Sequence, residues 1–92
     1  MAKIRAHIVV EGKVQGVYFR SYVSEEAKKL NLTGWVRNLE DGRVEIVVEG
    51  TRDDVRTIVA WCHKGPTPAR VSEVKVDWQE YSGKYRAFSV RY

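Results

Sequence analysis

The chain has 92 residues, with 16 Lys and Arg against 12 Asp and Glu, for a net charge of +4. That length holds one hydrophobic core and not two, so a single domain over residues 1–92 is expected. Hydrophobic residues make up 43%, too many for a disordered chain, and no apolar run approaches the ~20 residues of a membrane span.

In chain order, Ile4, Ala6, Ile8 and Val10 alternate with Arg5, His7 and Glu11, the period of a strand with one buried face. Gly12 to Val17 reads as a loop. Tyr22, Val23, Ala27 and Leu30 then recur at helical spacing, with Glu25 and Lys29 as an i,i+4 pair, and Thr33-Gly34 is expected to end that helix. Trp35 to Leu39 makes a short second strand. Asp41-Gly42 supplies a hairpin turn, and Val44, Ile46 and Val48 alternate with Glu45 and Glu49 in a third strand. Thr51 and Asp54 have capping-box spacing at the start of a second helix. Val55, Ile58, Val59 and Cys62 line one face of that helix, and Gly65-Pro66 stops it. Val74, Val76 and Trp78 alternate in a fourth strand beginning near Arg70. Ser82-Gly83-Lys84 is a turn, and Phe88, Val90 and Tyr92 form a short terminal strand.

This order predicts an α+β fold of the ferredoxin-like, split βαβ kind: βαββαβ plus a short terminal strand, an antiparallel sheet with two helices on one face. Enzymes, RNA-binding modules and metal carriers share that topology, so the fold does not choose among them. The positive charge suits an anionic partner, whether nucleic acid, a membrane surface or a phosphorylated metabolite; it equally suits a solubilising surface. Cys62 is the one cysteine, so no internal disulfide can form. Met1 to Arg5 lacks the apolar segment of a signal peptide, and a cytoplasmic protein is expected.

The informative segment is Gly12-Lys13-Val14-Gln15-Gly16-Val17-Tyr18-Phe19-Arg20, between a strand and a helix. Its glycines allow a sharp turn that aims successive N–H groups into one concavity, and the helix that follows adds its positive end. Such a loop can cradle a phosphate, and Arg20 can add a planar guanidinium. The spacing alone also allows an ordinary connection with a solvated Arg20. It is not a nucleotide P-loop, which needs four residues between its glycines and then Lys with Ser or Thr.

The whole segment resembles the G-x-V-Q-G-V-x-F-R signature of acylphosphatases. Gly34-Trp35-Val36-Arg37-Asn38-Leu39, followed by Asp41-Gly42-Arg43-Val44-Glu45, is similar to the second signature of that family. Gly65-Pro66, Ala69-Arg70-Val71 and the closing Phe88-Ser89-Val90-Arg91-Tyr92 also resemble it, so the likeness covers nearly the whole chain in one register. The resemblance implies hydrolysis of an acyl phosphate to a carboxylate and inorganic phosphate. By the family pattern, the loop from Gly12 to Arg20 binds the phosphoryl group, and Arg20 and Asn38 are the catalytic residues, with Asn38 orienting the attacking water. No cofactor, metal, nucleic acid or membrane is expected, and the protein is expected to be a monomer.

The chemistry fits that expectation. A carboxylate leaving group, with a pKa of about 4, needs no general acid at neutral pH. Phosphoryl transfer then rests on positioning and charge stabilisation. No His pair at helical spacing and no Cys-x-x-Cys is present. His7 and His63 read as structural, and Cys62 as a small core residue. Asp53 and Asp54 read as helix-capping residues, and Trp35, Trp61 and Trp78 as packing residues. Two other readings compete. An RNA-recognition module stacks bases on aromatics of its first and third strands, yet Ile4 to Val10 and Val44 to Glu49 carry none, and Glu45 and Glu49 would repel phosphates. An inactive interaction module of the same fold, like the domains within larger carbamoyl-handling maturation enzymes, is disfavoured by the presence of both Arg20 and Asn38.

Overall fold

The computed structural model describes residues 2–92. Its elements are β1 (Lys3–Lys13), α1 (Phe19–Lys29), β2 (Thr33–Asn38), β3 (Val44–Thr51), α2 (Arg52–Lys64), β4 (Arg70–Gln79) and β5 (Phe88–Arg91). They form one five-stranded sheet in the order β4-β1-β3-β2-β5. Every pairing is antiparallel except the last: β5 runs parallel to β2, with Gly34 opposite Phe88 and Val36 opposite Val90. The sheet is therefore mixed, because the connection after β4 crosses to the far edge instead of returning as a hairpin. No helix among the described residues is long and apolar enough to cross a membrane.

The two periodicities in the sequence meet in one core. Ala6, Ile8 and Val10 of β1, Val36 of β2, and Val44, Ile46 and Val48 of β3 are all fully buried. They pack against Val23 and Ala27 of α1 and against Val55, Ile58 and Cys62 of α2. Phe19, at the start of α1, meets Trp61 of α2 with ring centroids 5.7 Å apart. Thr51 caps α2: its Oγ1 accepts from the Asp54 N–H and donates to Asp54 Oδ2 at 2.8 Å. Helix α1 ends earlier than the spacing suggests. Leu30 is its C-cap and Asn31 turns left-handed at φ 57°, a conformation asparagine tolerates. Thr33-Gly34 consequently belongs to β2 and does not end the helix.

Strand alternation places Glu49 on the open face of the sheet, yet it is fully buried. The segment between β4 and β5 folds over it. Glu49 accepts from the Ser82 hydroxyl at 2.7 Å, the Ser82 N–H at 2.9 Å and the Gly83 N–H at 3.1 Å, with Arg5 Nη1 at 4.0 Å. These contacts strap down the crossover that delivers β5 to β2. Burial by itself would raise the Glu49 carboxyl, but the Ser82 and Gly83 bonds and the Arg5 charge outweigh it and hold it below its ordinary 4.5. Glu45 behaves alike: burial raises it, while His7 and Arg37 hold it lower overall.

A carboxylate with a lowered folded value stabilises the fold above its unfolded value, and that contribution is lost as pH falls through the folded value. Stability should therefore decline on acidification below 4.5. Glu49→Ala should cost about 3 kcal/mol, since Arg5 loses its buried counter-charge. Glu49→Gln should cost less and show a shallower acid decline, read from denaturant midpoints across pH. An unchanged decline in Glu49→Gln would remove Glu49 from the strap's energetics.

Candidate active site

Loop and helix meet at a cleft of about 460 Å3. Its walls come from Val14, Gln15 and Gly16 of the loop, Tyr18 to Ser21 at the start of α1, Asn38 at the end of β2, and Val90 and Tyr92 at the end of the chain. The sequence's candidate residues divide there. Val14, Gln15, Gly16, Tyr18, Phe19, Arg20 and Asn38 line the cleft; Gly12, Lys13 and Val17 do not.

Gly12 and Lys13 continue β1, opposite Val71 and Arg70 of β4 after a register shift between Glu11 and Gly12. A Cβ on Gly12 would stand 2.0 Å from the Arg70 carbonyl oxygen, so that glycine is required by the close approach of β4. Gly16 differs. Nothing lies within 4 Å of a Cβ placed there, and its requirement is the backbone conformation at φ 73°.

The Gln15 side chain ties the loop to the β2–β3 hairpin, donating to Leu39 O at 2.7 Å and to Arg43 O at 2.9 Å, while its backbone N–H stays with the other loop donors. The loop and the strand end that carries Asn38 are thus held in one register. The hairpin closes with Leu39 N–H to Arg43 O at 2.8 Å, Gly42 N–H to Leu39 O at 3.2 Å and Arg43 N–H to Asp41 Oδ1 at 3.1 Å.

The loop's donors are free. No turn, loop or cap hydrogen bond among the described residues uses a backbone N–H between Val14 and Ser21 as its donor. Tyr18 is the N-cap of α1 but makes no side-chain cap bond, and no acidic residue stands in the helix's first turn. The positive end of α1 therefore faces the cleft without neutralisation. Arg20 projects into the same space. Its Nη1 donates to Arg91 O at 3.1 Å, and its guanidinium lies 4.6 Å from the Tyr92 ring centroid. Arg20 forms no ion pair among the described residues, which leaves most of its donor fork open.

Asn38 presents the complementary group. Its side chain makes no hydrogen bond among the described residues, and its Oδ1 is buried without a partner. Such an atom costs about 1–3 kcal/mol. A half-rotation of the amide exchanges its oxygen and nitrogen ends at that position.

The other candidate reactive groups lie elsewhere. Cys62 is buried in the core, which pushes its thiol up to about 12. His7 is occupied by Glu45 at 2.7 Å. Val90 and Tyr92, whose place at the cleft the strand pattern did not reveal, arrive through the parallel pairing of β5 with β2. Their one sequence signal was the likeness of the terminal Phe88–Tyr92 segment to the family pattern.

Comparison with known proteins bears on this arrangement. Residues 6–90 match the family model described as acylphosphatase. An acylphosphatase of Pelotomaculum thermopropionicum is 51% identical over 92 residues, covering all of both chains. The structure of an acylphosphatase from Coxiella burnetii superposes with a TM-score of 0.93 at 42% identity, covering 98% of this chain and 94% of that one. HypF of T. kodakarensis carries a similar unit: TM-score 0.83 at 36% identity, over 97% of this chain but 12% of HypF. With a family match across the cleft-forming loop, both helices and all five strands, this chain belongs to the acylphosphatase family.

Proposed function

We propose that the chain hydrolyses acyl phosphates, R–CO–O–PO3, to a carboxylate and inorganic phosphate in this cleft. The observation that carries the reading is the run of free backbone N–H groups from Val14 to Ser21 beside the open Arg20 guanidinium. Nothing among the described residues satisfies these donors, and a phosphoryl group's oxygens would.

The loop amides and Arg20 hold the phosphoryl oxygens and offset the charge that spreads over them in the transition state. Gly12 and Lys13 fix the entry of the loop. Turned by the half-rotation that brings its oxygen, buried as it stands, to the cleft, the Asn38 amide accepts a hydrogen bond from the attacking water, and its unpartnered Oδ1 is the sign of an amide not committed to the fold. The water oxygen bonds to phosphorus while the bond from phosphorus to the acyl oxygen breaks. The carboxylate departs with that electron pair, and the water's proton passes to a phosphate oxygen. No covalent intermediate and no metal take part in this scheme. Every group it uses comes from one chain, which supports a monomeric enzyme.

Phosphate release from acetyl phosphate, measured beside an alkyl phosphate monoester with a chelator present throughout, tests the reading. Turnover of acetyl phosphate is expected, with the alkyl ester at its uncatalysed rate, because an alkoxide is a far poorer leaving group than a carboxylate. Comparable rates on both, or turnover only after a divalent metal is restored, would refute it.

A further inference from the structure

The cleft extends beyond the loop to Asn38, Val90 and Tyr92, and that part has its own chemistry. Tyr18 and Tyr92 stand at its lips, 78% and 102% exposed, with Val14 and Val90 between the loop and the sheet edge. Single exposed aromatics are ordinary, but two that line one cleft are a patch. Tyr18 also borders an adjoining groove of about 400 Å3 with Ser21, Tyr22 and Glu25, so its ring divides the two hollows.

The backbone at Tyr18 adds a second, independent observation. It is left-handed, with φ 60° and ψ 25°, a region that glycine or asparagine occupies easily and an aromatic residue does not. The side chain contributes no cap hydrogen bond and is not buried in the core. The fold gains nothing evident from a tyrosine there, whereas a substrate group resting against the ring would.

Resting on the proposed hydrolysis of acyl phosphates, we propose that Tyr18 and Tyr92 form an acyl-group subsite that favours a neutral aromatic acyl group over a small aliphatic one. With the phosphoryl group in the loop, the acyl carbon lies outward, where the Tyr18 ring and the part of the Tyr92 ring that the Arg20 guanidinium leaves uncovered are available for offset or edge-to-face contact. Glu25 lines the adjoining groove beyond Tyr18, so an acyl group that reaches past the ring and carries its own carboxylate is disfavoured.

The test compares kcat/KM for benzoyl phosphate and acetyl phosphate in the wild type, Tyr18→Asn, Tyr18→Gly and Tyr18→Phe. Asparagine and glycine keep the left-handed backbone and remove the ring; phenylalanine keeps the ring. The benzoyl-to-acetyl ratio should fall about tenfold in the two ringless variants and stay within about twofold of wild type in Tyr18→Phe. A ratio unchanged by loss of the ring, with both substrates still turned over, overturns the subsite and leaves the hydrolysis standing. Turnover of neither substrate by the wild type overturns the hydrolysis itself.

Discussion

Asn38→Ala is expected to lower kcat by ~10²–10⁴-fold, the range of a group positioned at a proton-carrying reactant. The alternative role for an asparagine before a hairpin turn is to satisfy the turn's backbone. That role is already filled, by the Arg43 N–H bonding Asp41 and by Gln15 bonding the Leu39 and Arg43 carbonyls. Asn38 itself makes no such bond, and its Oδ1 is buried without a partner. Alanine therefore removes an unsatisfied acceptor, and the melting temperature should hold or rise slightly. Loss of rate with no loss of stability is the pattern of a residue kept for chemistry. A variant that unfolds earlier while keeping its turnover per folded molecule would assign Asn38 to the hairpin instead.

Arg20→Ala should lower kcat/KM by at least ~10²-fold, by analogy with deleting one preorganised electrostatic donor. The loss should appear in both KM and kcat, because a cation beside the phosphoryl oxygens acts in the ground state and in the transition state. Arg20→Lys should recover part of it, since an ammonium restores the charge without the planar fork. The contacts Arg20 makes within the fold, to Arg91 O and the Tyr92 ring, are partly exposed, so stability should fall by no more than about 1 kcal/mol. Near-wild-type kcat/KM in Arg20→Ala would take the guanidinium out of the site.

The fold was legible where the signal is local. Period-two alternation located β1, β3 and β4, helical spacing located both helices, and Thr51 with Asp54 marked the start of α2. Contacts between distant residues left no such trace. Glu49 follows strand alternation onto the open face, and Ser82 and Gly83, more than thirty residues later in the chain, fold over it. The parallel pairing of β5 is likewise invisible in a four-residue strand. The end of α1 was misplaced because Thr33-Gly34 carries a stronger turn signal than Leu30-Asn31, where the helix stops.

The candidate site divides in the same way. Residues of the Gly12–Arg20 run could be named from the sequence because they are contiguous. Their separate duties could not, since each is set by what the fold brings near. Gly12 meets β4, Gln15 meets the hairpin, and Arg20 meets the chain's last two residues.

The central claim is a division of labour, in which the loop and Arg20 hold the phosphoryl group and Asn38 holds the water. Titration of inorganic phosphate into the wild type, Arg20→Ala and Asn38→Ala, followed by calorimetry or amide chemical shifts, tests it most directly. The account predicts shifts centred on the amides of residues 14–21, affinity within about twofold of wild type in Asn38→Ala, and affinity at least about tenfold weaker in Arg20→Ala. Equal weakening in the two variants, or phosphate binding away from this loop, would contradict it.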